Sequence, residues 1–92
     1  MIRSFRHRGL KRLYERNDRS RVRADQAGRL AIALADLDDA RKPSDLDLPG
    51  YRLHPLKGDL KPLWSISISG NWRIVFRFDE RDVYDVDLVD YH

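Results

Sequence analysis

The stretch Trp64-Ser65-Ile66-Ser67-Ile68-Ser69-Gly70-Asn71-Trp72-Arg73-Ile74-Val75-Phe76-Arg77-Phe78 alternates apolar and polar side chains on both sides of a Gly-Asn pair. A period of two is typical of β-strands that bury only one face, and Gly-Asn is typical of the turn between them. The stretch therefore predicts a β-hairpin. Its apolar face comprises Trp64, Ile66, Ile68, Trp72, Ile74, Phe76 and Phe78, and its outward face comprises Ser65, Ser67, Arg73, Val75 and Arg77.

The length of the hairpin loop decides which side chains share a face. A two-residue Gly70-Asn71 loop would set Ile68 opposite Arg73 and mix apolar with charged side chains. We therefore predict a three-residue loop over 69–71, with Asn71 in the left-handed conformation that asparagine tolerates. This register pairs Ile68 with Trp72 and Ile66 with Ile74.

The regions that flank the hairpin supply further strands and two helices. Alternation at 51–54 and 83–89 extends the hairpin into an antiparallel sheet. Apolar residues at helical spacing predict a short basic helix on Leu10, Leu13 and Tyr14, and a longer one on Ala27, Leu30, Ala31, Leu34 and Leu37. We expect Asp25 to cap the longer helix and Pro43 to stop it, Ile2–Phe5 to form a short edge strand, and one helical turn to lie at 45–48.

Length and composition limit the architecture to one domain. The chain has 92 residues, of which 41% are apolar and 36% charged, and no cysteine. We predict a single α+β domain over 1–92, with two N-terminal helices packed on one face of a small antiparallel sheet. The absence of cysteine, of an apolar signal segment and of a span of about 20 apolar residues favours a cytoplasmic protein without a membrane partner.

Charge is distributed unevenly along the chain. Residues 1–23 contain nine basic and two acidic residues, whereas residues 79–92 contain six acidic residues and one arginine. Arginine outnumbers lysine by 14 to 4, and guanidinium groups bind phosphate oxygens bidentately. The basic end therefore indicates either RNA binding or an ordinary solvated helix face that pairs with the acidic end.

Side chains suited to proton transfer fall on the outward face or near it. The phase of strand 51–54 places His54 beside Arg73 and Arg77, and Lys57 follows before a glycine that permits a tight turn. The chain then ends in Asp90-Tyr91-His92. Alternation puts Tyr91 outward, but Asp90 and His92 in the inward phase unless the strand ends or bulges there.

These residue types match the needs of metal-independent RNA cleavage. That reaction requires a base for the 2′-hydroxyl, an acid for the leaving 5′ oxygen, cations for the charged phosphorane and an aromatic platform for a displaced base. The candidates for these roles are His54, Lys57, Arg73, Tyr91 and His92. A metal site built from His54, Asp90 and His92 is a weaker alternative, because no close-spaced ligand pair lies on one element.

Four stretches of sequence occur together in one order along the chain: residues 1–15, Leu53-His54-Pro55-Leu56-Lys57-Gly58, Asn71-Trp72-Arg73 and the terminal Asp90-Tyr91-His92. With this combination nearly the whole chain resembles HigB toxins of the RelE superfamily. The resemblance implies a microbial-RNase-like fold, a toxin that cleaves mRNA in the ribosomal A site without a cofactor, and a HigA-type helix-turn-helix antitoxin as partner. Matching positions give the functional residues His54, Lys57, Arg73, Asp90, Tyr91 and His92. For contacts to RNA and the ribosome we predict Arg6, Arg8, Lys11, Arg12, Arg52 and Arg77.

The segment 58–63 and the acidic positions near the C-terminus depart from the family pattern. We expect Asp82, Asp85 and Asp87 to face Arg73, Arg77 or the basic helix rather than RNA. The same fold also carries toxins that inhibit DNA gyrase, so a non-enzymatic toxin that blocks gyrase or translation is the alternative function.

Overall fold

A four-stranded antiparallel sheet forms the C-terminal half of the chain, as the alternating pattern predicts. The computed structural model describes residues 1–57 and 63–90. Its strands are β1 (His54–Leu56), β2 (Leu63–Ser69), β3 (Trp72–Asp79) and β4 (Asp82–Asp90), in the spatial order β1-β2-β3-β4. The first strand begins three residues later than predicted, because residues 51–53 connect to it through a positive φ at Arg52.

Both predicted helices lie on one face of this sheet. They are α1 (Arg8–Arg16) and α2 (Ala27–Asp39), followed by a 3₁₀ turn at Pro43–Leu46. Their apolar stripes and the inward side chains of the strands form one core, which confirms the α+β architecture. The fully buried large side chains of this core include Leu10, Leu30, Leu34, Leu37, Leu46, Ile66, Ile74, Phe76, Val83 and Val86.

Several helix details differ from the prediction. Asp25 does not cap α2; its carboxylate instead accepts two hydrogen bonds from the Arg23 guanidinium, at 3.1 and 2.9 Å, and Gln26 is the N-cap residue. Ala31 is only half-buried. The helix ends at Asp39, four residues before Pro43, and the short helical turn begins at that proline, two residues earlier than expected.

The β2–β3 hairpin has the predicted pairing in its core, but its turn differs from the prediction. Ile66 does pair with Ile74, but Ser69 pairs with Trp72 across a two-residue Gly70-Asn71 turn, and a bulge between Ser67 and Ser69 absorbs the extra residue. The predicted Ile68–Trp72 pairing is therefore wrong. The left-handed position is also not Asn71 but Gly70, with φ of 52°, which glycine adopts without steric strain.

A second bulge, in β4, interrupts the alternation of inward and outward side chains along that strand. Val75 pairs with Asp87 and Arg77 pairs with Tyr84, so β4 has one more residue than β3 between these pairs. Asp85 lies in this bulge with φ of 58°. As a result Val83 and Val86, three residues apart, are both buried.

The N-terminal segment lies along the free edge of β4, in the place predicted for a short edge strand. Ile2 and Phe5 form isolated parallel bridges to Val83 and Val86.

Two carboxylates of α2 accept hydrogen bonds from tyrosine hydroxyls at 2.6 Å. Asp38 accepts from Tyr14, and Asp36 accepts from Tyr51, so α2 is bonded to both the N-terminal and the C-terminal half of the chain. The bond to Asp38 raises the pKa of Tyr14 to about 12.

No helix in the described part of the chain has the length and apolar character needed to cross a membrane.

Candidate functional site

The face of the sheet opposite the helices carries two of the predicted catalytic residues; we call it the open face. His54 pairs with Ser65, which pairs with Val75, and Arg73 pairs with Ser67 two residues further along the sheet. Side chains of directly paired residues share a face, so His54 and Arg73 lie on the same side. With one strand between them, their Cα atoms are about 12 Å apart by the ordinary spacing of strands and residues. This distance suits contact with neighbouring parts of one ligand.

The cations of the open face differ in burial. His54 is exposed, whereas Arg73 is half-buried between Ser67 and Val89 on the neighbouring strands, and its Nε atom is buried. A half-buried guanidinium has less rotational freedom than an exposed one, which suits the positioning of a phosphate. Ser65, predicted to face outward, is fully buried because its short side chain lies on an interior strand between longer neighbours.

Arg77 takes part in an intramolecular network. Its Nε lies 3.2 Å from the Asp85 carboxylate, an Nη lies 3.7 Å from that of Asp79, and the guanidinium lies 4.7 Å from the centre of the Tyr84 ring. Two carboxylates offset its charge, and only 22% of its side chain is exposed. The expectation that Asp85 faces an arginine is confirmed, and these contacts favour a structural role for Arg77 over RNA binding.

The structure does not place all of the other catalytic candidates on the open face. Lys57 is exposed and follows β1 directly, close in sequence to His54. Asp90 pairs with Trp72 and shares the phase of Leu88, on the side of the sheet that carries the helices. This is the phase that alternation predicted. Tyr91 and His92 lie outside the described residues.

Three predicted RNA-binding residues, Arg8, Lys11 and Arg12, lie on α1 on the helix side of the sheet, and Arg6 precedes them at the edge of β4. Arg6, Arg8 and Lys11 are exposed, and the structure records no carboxylate partner for them within the described ranges. Arg12 is 3.4 Å from Asp18 and is partly neutralised. Arg52, the remaining candidate, is exposed just before β1. Since α1 packs on the other side of the sheet from His54, its cations form a second basic surface rather than part of the open face.

Of the acidic residues expected to face Arg73, Arg77 or the basic helix, Asp85 contacts Arg77, whereas Asp82 pairs with the N-terminal segment instead. Asp82 lies 3.1 Å from Arg3 and 3.4 Å from the N-terminal ammonium group. Desolvation opposes the ionisation of Asp82, but the contacts of the carboxylate to Arg3 and the N-terminus outweigh desolvation and lower the pKa of Asp82.

Residues 1–57 and 63–90 contain no group of three His, Asp or Glu side chains placed to hold a metal ion.

Sequence reasoning missed one positioning residue, Ser4. Its hydroxyl accepts a hydrogen bond from the backbone N–H of Asp85 at 2.8 Å and so holds the β4 bulge that faces Arg77. No local pattern signals this contact, because the two residues are separated by 81 positions.

The comparison with known proteins identifies the family. A sequence model for RelE-like toxins of the type II toxin-antitoxin system HigB matches residues 3–92. The chain belongs to the HigB-like toxin family. It is also 44% identical to Endoribonuclease HigB from Proteus vulgaris, over the full length of both proteins. Membership of this HigB-like family makes the chain a toxin of a type II system, which implies an antitoxin partner.

Proposed function

We propose that this HigB-like toxin is a ribosome-dependent endoribonuclease that cleaves mRNA in the ribosomal A site and so inhibits translation in the cytoplasm. The observation that carries the proposal is the common face of His54 and Arg73 in a chain 44% identical to an endoribonuclease. A HigA-type helix-turn-helix protein would be its antitoxin, as the family's resemblance implies.

The proposed chemistry is transfer of the phosphoryl group to the neighbouring 2′-hydroxyl. A base removes the 2′-hydroxyl proton, the 2′ oxygen attacks phosphorus, and the bond to the 5′ oxygen breaks as an acid protonates that oxygen. The products are a 2′,3′-cyclic phosphate and a free 5′-hydroxyl. This reaction needs no metal or cofactor.

The residues divide these tasks according to their chemistry. We assign Arg73 to the scissile phosphate, since a half-buried guanidinium holds two phosphate oxygens in a fixed geometry. Lys57 stabilises the charge of the phosphorane, and either His54 or Lys57 serves as the base. We assign the acid to His92, the base-stacking platform to Tyr91, and support of the His92 imidazolium to Asp90.

The shape of the open face supports the proposed dependence on the ribosome. The face is a sheet surface bearing exposed His54, and a flexible RNA strand on such a surface rarely takes the in-line geometry that cleavage requires. Ribosomal RNA, bound by the exposed cations of the N-terminal segment and α1, would hold both toxin and message. Free mRNA should therefore be a poor substrate.

Primer extension on mRNA from cells that express the toxin tests this function. We expect discrete breaks within coding regions for the unmodified chain, and their loss in the His54→Ala and His92→Ala variants at equal protein level. Full growth arrest with intact messages would contradict the proposal and favour a toxin that blocks gyrase or translation by binding.

A further inference from the structure

A second cleft lies on the helix side of the sheet, next to the β2–β3 turn. It has a volume of about 360 Å³, at the lower end of the range for small-ligand sites. His7, Arg21, Arg23, Gln26 and Trp72 are among the residues that line it. None of these residues belongs to the catalytic set of the open face.

Gln26 gives this cleft an unmet hydrogen-bonding group. The residue is only 2% exposed, and its Nε2 donates to Ser69 Oγ at 3.1 Å. Its Oε1 is buried and has no hydrogen-bond partner in the part of the chain that the structure describes. A buried acceptor without a partner destabilises the fold, so a ligand that supplies a hydrogen-bond donor would remove this cost.

The rest of the lining is aromatic and cationic. The Arg23 guanidinium lies 6.0 Å from the centre of the half-buried Trp72 ring. Arg21 is exposed, and no carboxylate among the described residues pairs with it. The segment that carries both arginines is held by Asp18, which accepts hydrogen bonds from the N–H and hydroxyl of Ser20 at 2.9 and 2.7 Å. Arg23 itself is paired with Asp25, so Arg21 is the cation available to a phosphate. A flat ring, a buried acceptor and an adjacent guanidinium group are the features that bind a nucleobase and its phosphate.

The position of the cleft favours RNA over a free nucleotide as its occupant. Trp72 and Arg73 are consecutive in β3, so their side chains project to opposite faces from Cα atoms only about 3.8 Å apart. They lie at the hairpin end of the sheet, next to the Gly70-Asn71 turn. A single strand that passes around this end can contact Arg73 on one face and enter the cleft on the other.

We propose that the cleft binds one nucleotide of a single-stranded RNA segment outside the cleavage surface. The base stacks on the Trp72 ring, one of its N–H groups donates to Gln26 Oε1, and Arg21 binds the phosphate. This inference rests on the proposed function and deepens it, since it gives the same RNA a second point of attachment.

Nuclear magnetic resonance of the free toxin tests this site without the ribosome. The chain has two tryptophans, so a ¹⁵N spectrum contains two indole N–H signals, and Trp64, opposite Phe76, serves as an internal reference. On titration with AMP we expect a saturable shift of the Trp72 signal and no shift of the Trp64 signal. The Trp72→Phe variant assigns the two signals.

Variants of the cleft distinguish specific binding from general attraction. Arg21→Ala alters an exposed side chain and should weaken AMP binding roughly threefold to tenfold, the net effect of one hydrogen bond. Gln26→Met should weaken binding while the Trp64 signal keeps its position, which shows that the fold is retained. Arg41→Ala, an exposed arginine away from the cleft, is the matched control and should bind AMP like the unmodified chain.

Two results would overturn the inference: no shift of the Trp72 signal at millimolar AMP, or a shift that Arg21→Ala and Gln26→Met leave unchanged. Because the measurement needs neither ribosome nor cleavage, its failure would leave the proposed nuclease activity intact. Conversely, intact messages in the primer-extension experiment would overturn the nuclease proposal without altering the result for nucleotide binding.

Discussion

Ser4 and Asp85 hold the bulge of β4 through two hydrogen bonds. The Asp85 N–H donates to Ser4 Oγ at 2.8 Å, and the Ser4 hydroxyl lies 3.4 Å from the Asp85 carboxylate. Asp85 adopts a positive φ, which is unusual for a residue with a side chain. The contact therefore supports a conformation that also aims the carboxylate at Arg77.

Replacement of Ser4 by alanine should lower the stability of the fold. The variant leaves the N–H of Asp85 without its acceptor at a half-buried position, at a cost of about 1–2 kcal/mol. Urea denaturation measures the change, and Ser44→Ala, at an exposed position, is the control, with an expected change within about 0.5 kcal/mol. Equal stability of both variants would show that the bulge persists without Ser4.

The exposed cations of α1 should contribute to ribosome affinity rather than to the cleavage step. Since Arg8 and Lys11 lie on the helix side of the sheet, their alanine variants should weaken binding. The slope of log affinity against log salt should decrease by roughly 0.7–0.9 for each phosphate that is no longer neutralised. Arg12→Ala should change the slope less, because Asp18 already partly neutralises that arginine. Binding measured across a salt series checks this, and an unchanged slope in the Arg8 and Lys11 variants would make α1 an ordinary solvated helix.

Asp38 should make the fold sensitive to acid. Burial opposes its ionisation, but hydrogen bonds from the Tyr14 hydroxyl and the Ile2 N–H outweigh burial and lower its pKa. A carboxyl whose pKa is lower in the folded state stabilises the fold above its unfolded value, near 3.8, and loses that contribution as pH falls through its folded pKa.

We therefore expect stability to decrease below about pH 4, with a smaller decrease in Asp38→Asn, because asparagine does not titrate. Denaturation curves at pH 7, 4 and 3 measure the difference. Asp39→Asn, at an exposed neighbouring position, is the control and should retain the acid sensitivity of the unmodified chain. The same slope in all three proteins would assign the acid sensitivity to other carboxylates.

Periodicity predicted those parts of the fold that depend on burial alone. The inward set around Ile66, Ile74 and Phe76 follows from a period of two, because burial fixes the face of every second residue. The bulges were not predictable in this way. Asp85 occupies its bulge through a contact with Ser4, and the hairpin reaches its register through a bulge at Ile68 rather than a longer loop.

In the candidate site, too, the faces of the strands were predictable from sequence, whereas the pairing of charged side chains was not. The phase of the strands predicted that His54 and Arg73 share a face, and the register confirms it. The roles of Arg77 and Asp25 depended on which charged partner lies nearest in space, and composition does not specify that. Arg77 contacts two carboxylates. The Asp25 carboxylate, which we expected to cap α2, binds Arg23 instead.

The role of Arg73 at the scissile phosphate is decided by the cleavage rate of Arg73→Ala on ribosome-bound mRNA under single-turnover conditions. If Arg73 binds that phosphate, the rate should fall roughly 10²–10³-fold, as it does when an oxyanion-hole donor is removed, while ribosome affinity changes little. Arg41→Ala, which removes an exposed arginine outside the open face, should cleave at the unmodified rate. Cleavage by bound Arg73→Ala at the unmodified rate would overturn this role and make Arg73 a positioning residue only.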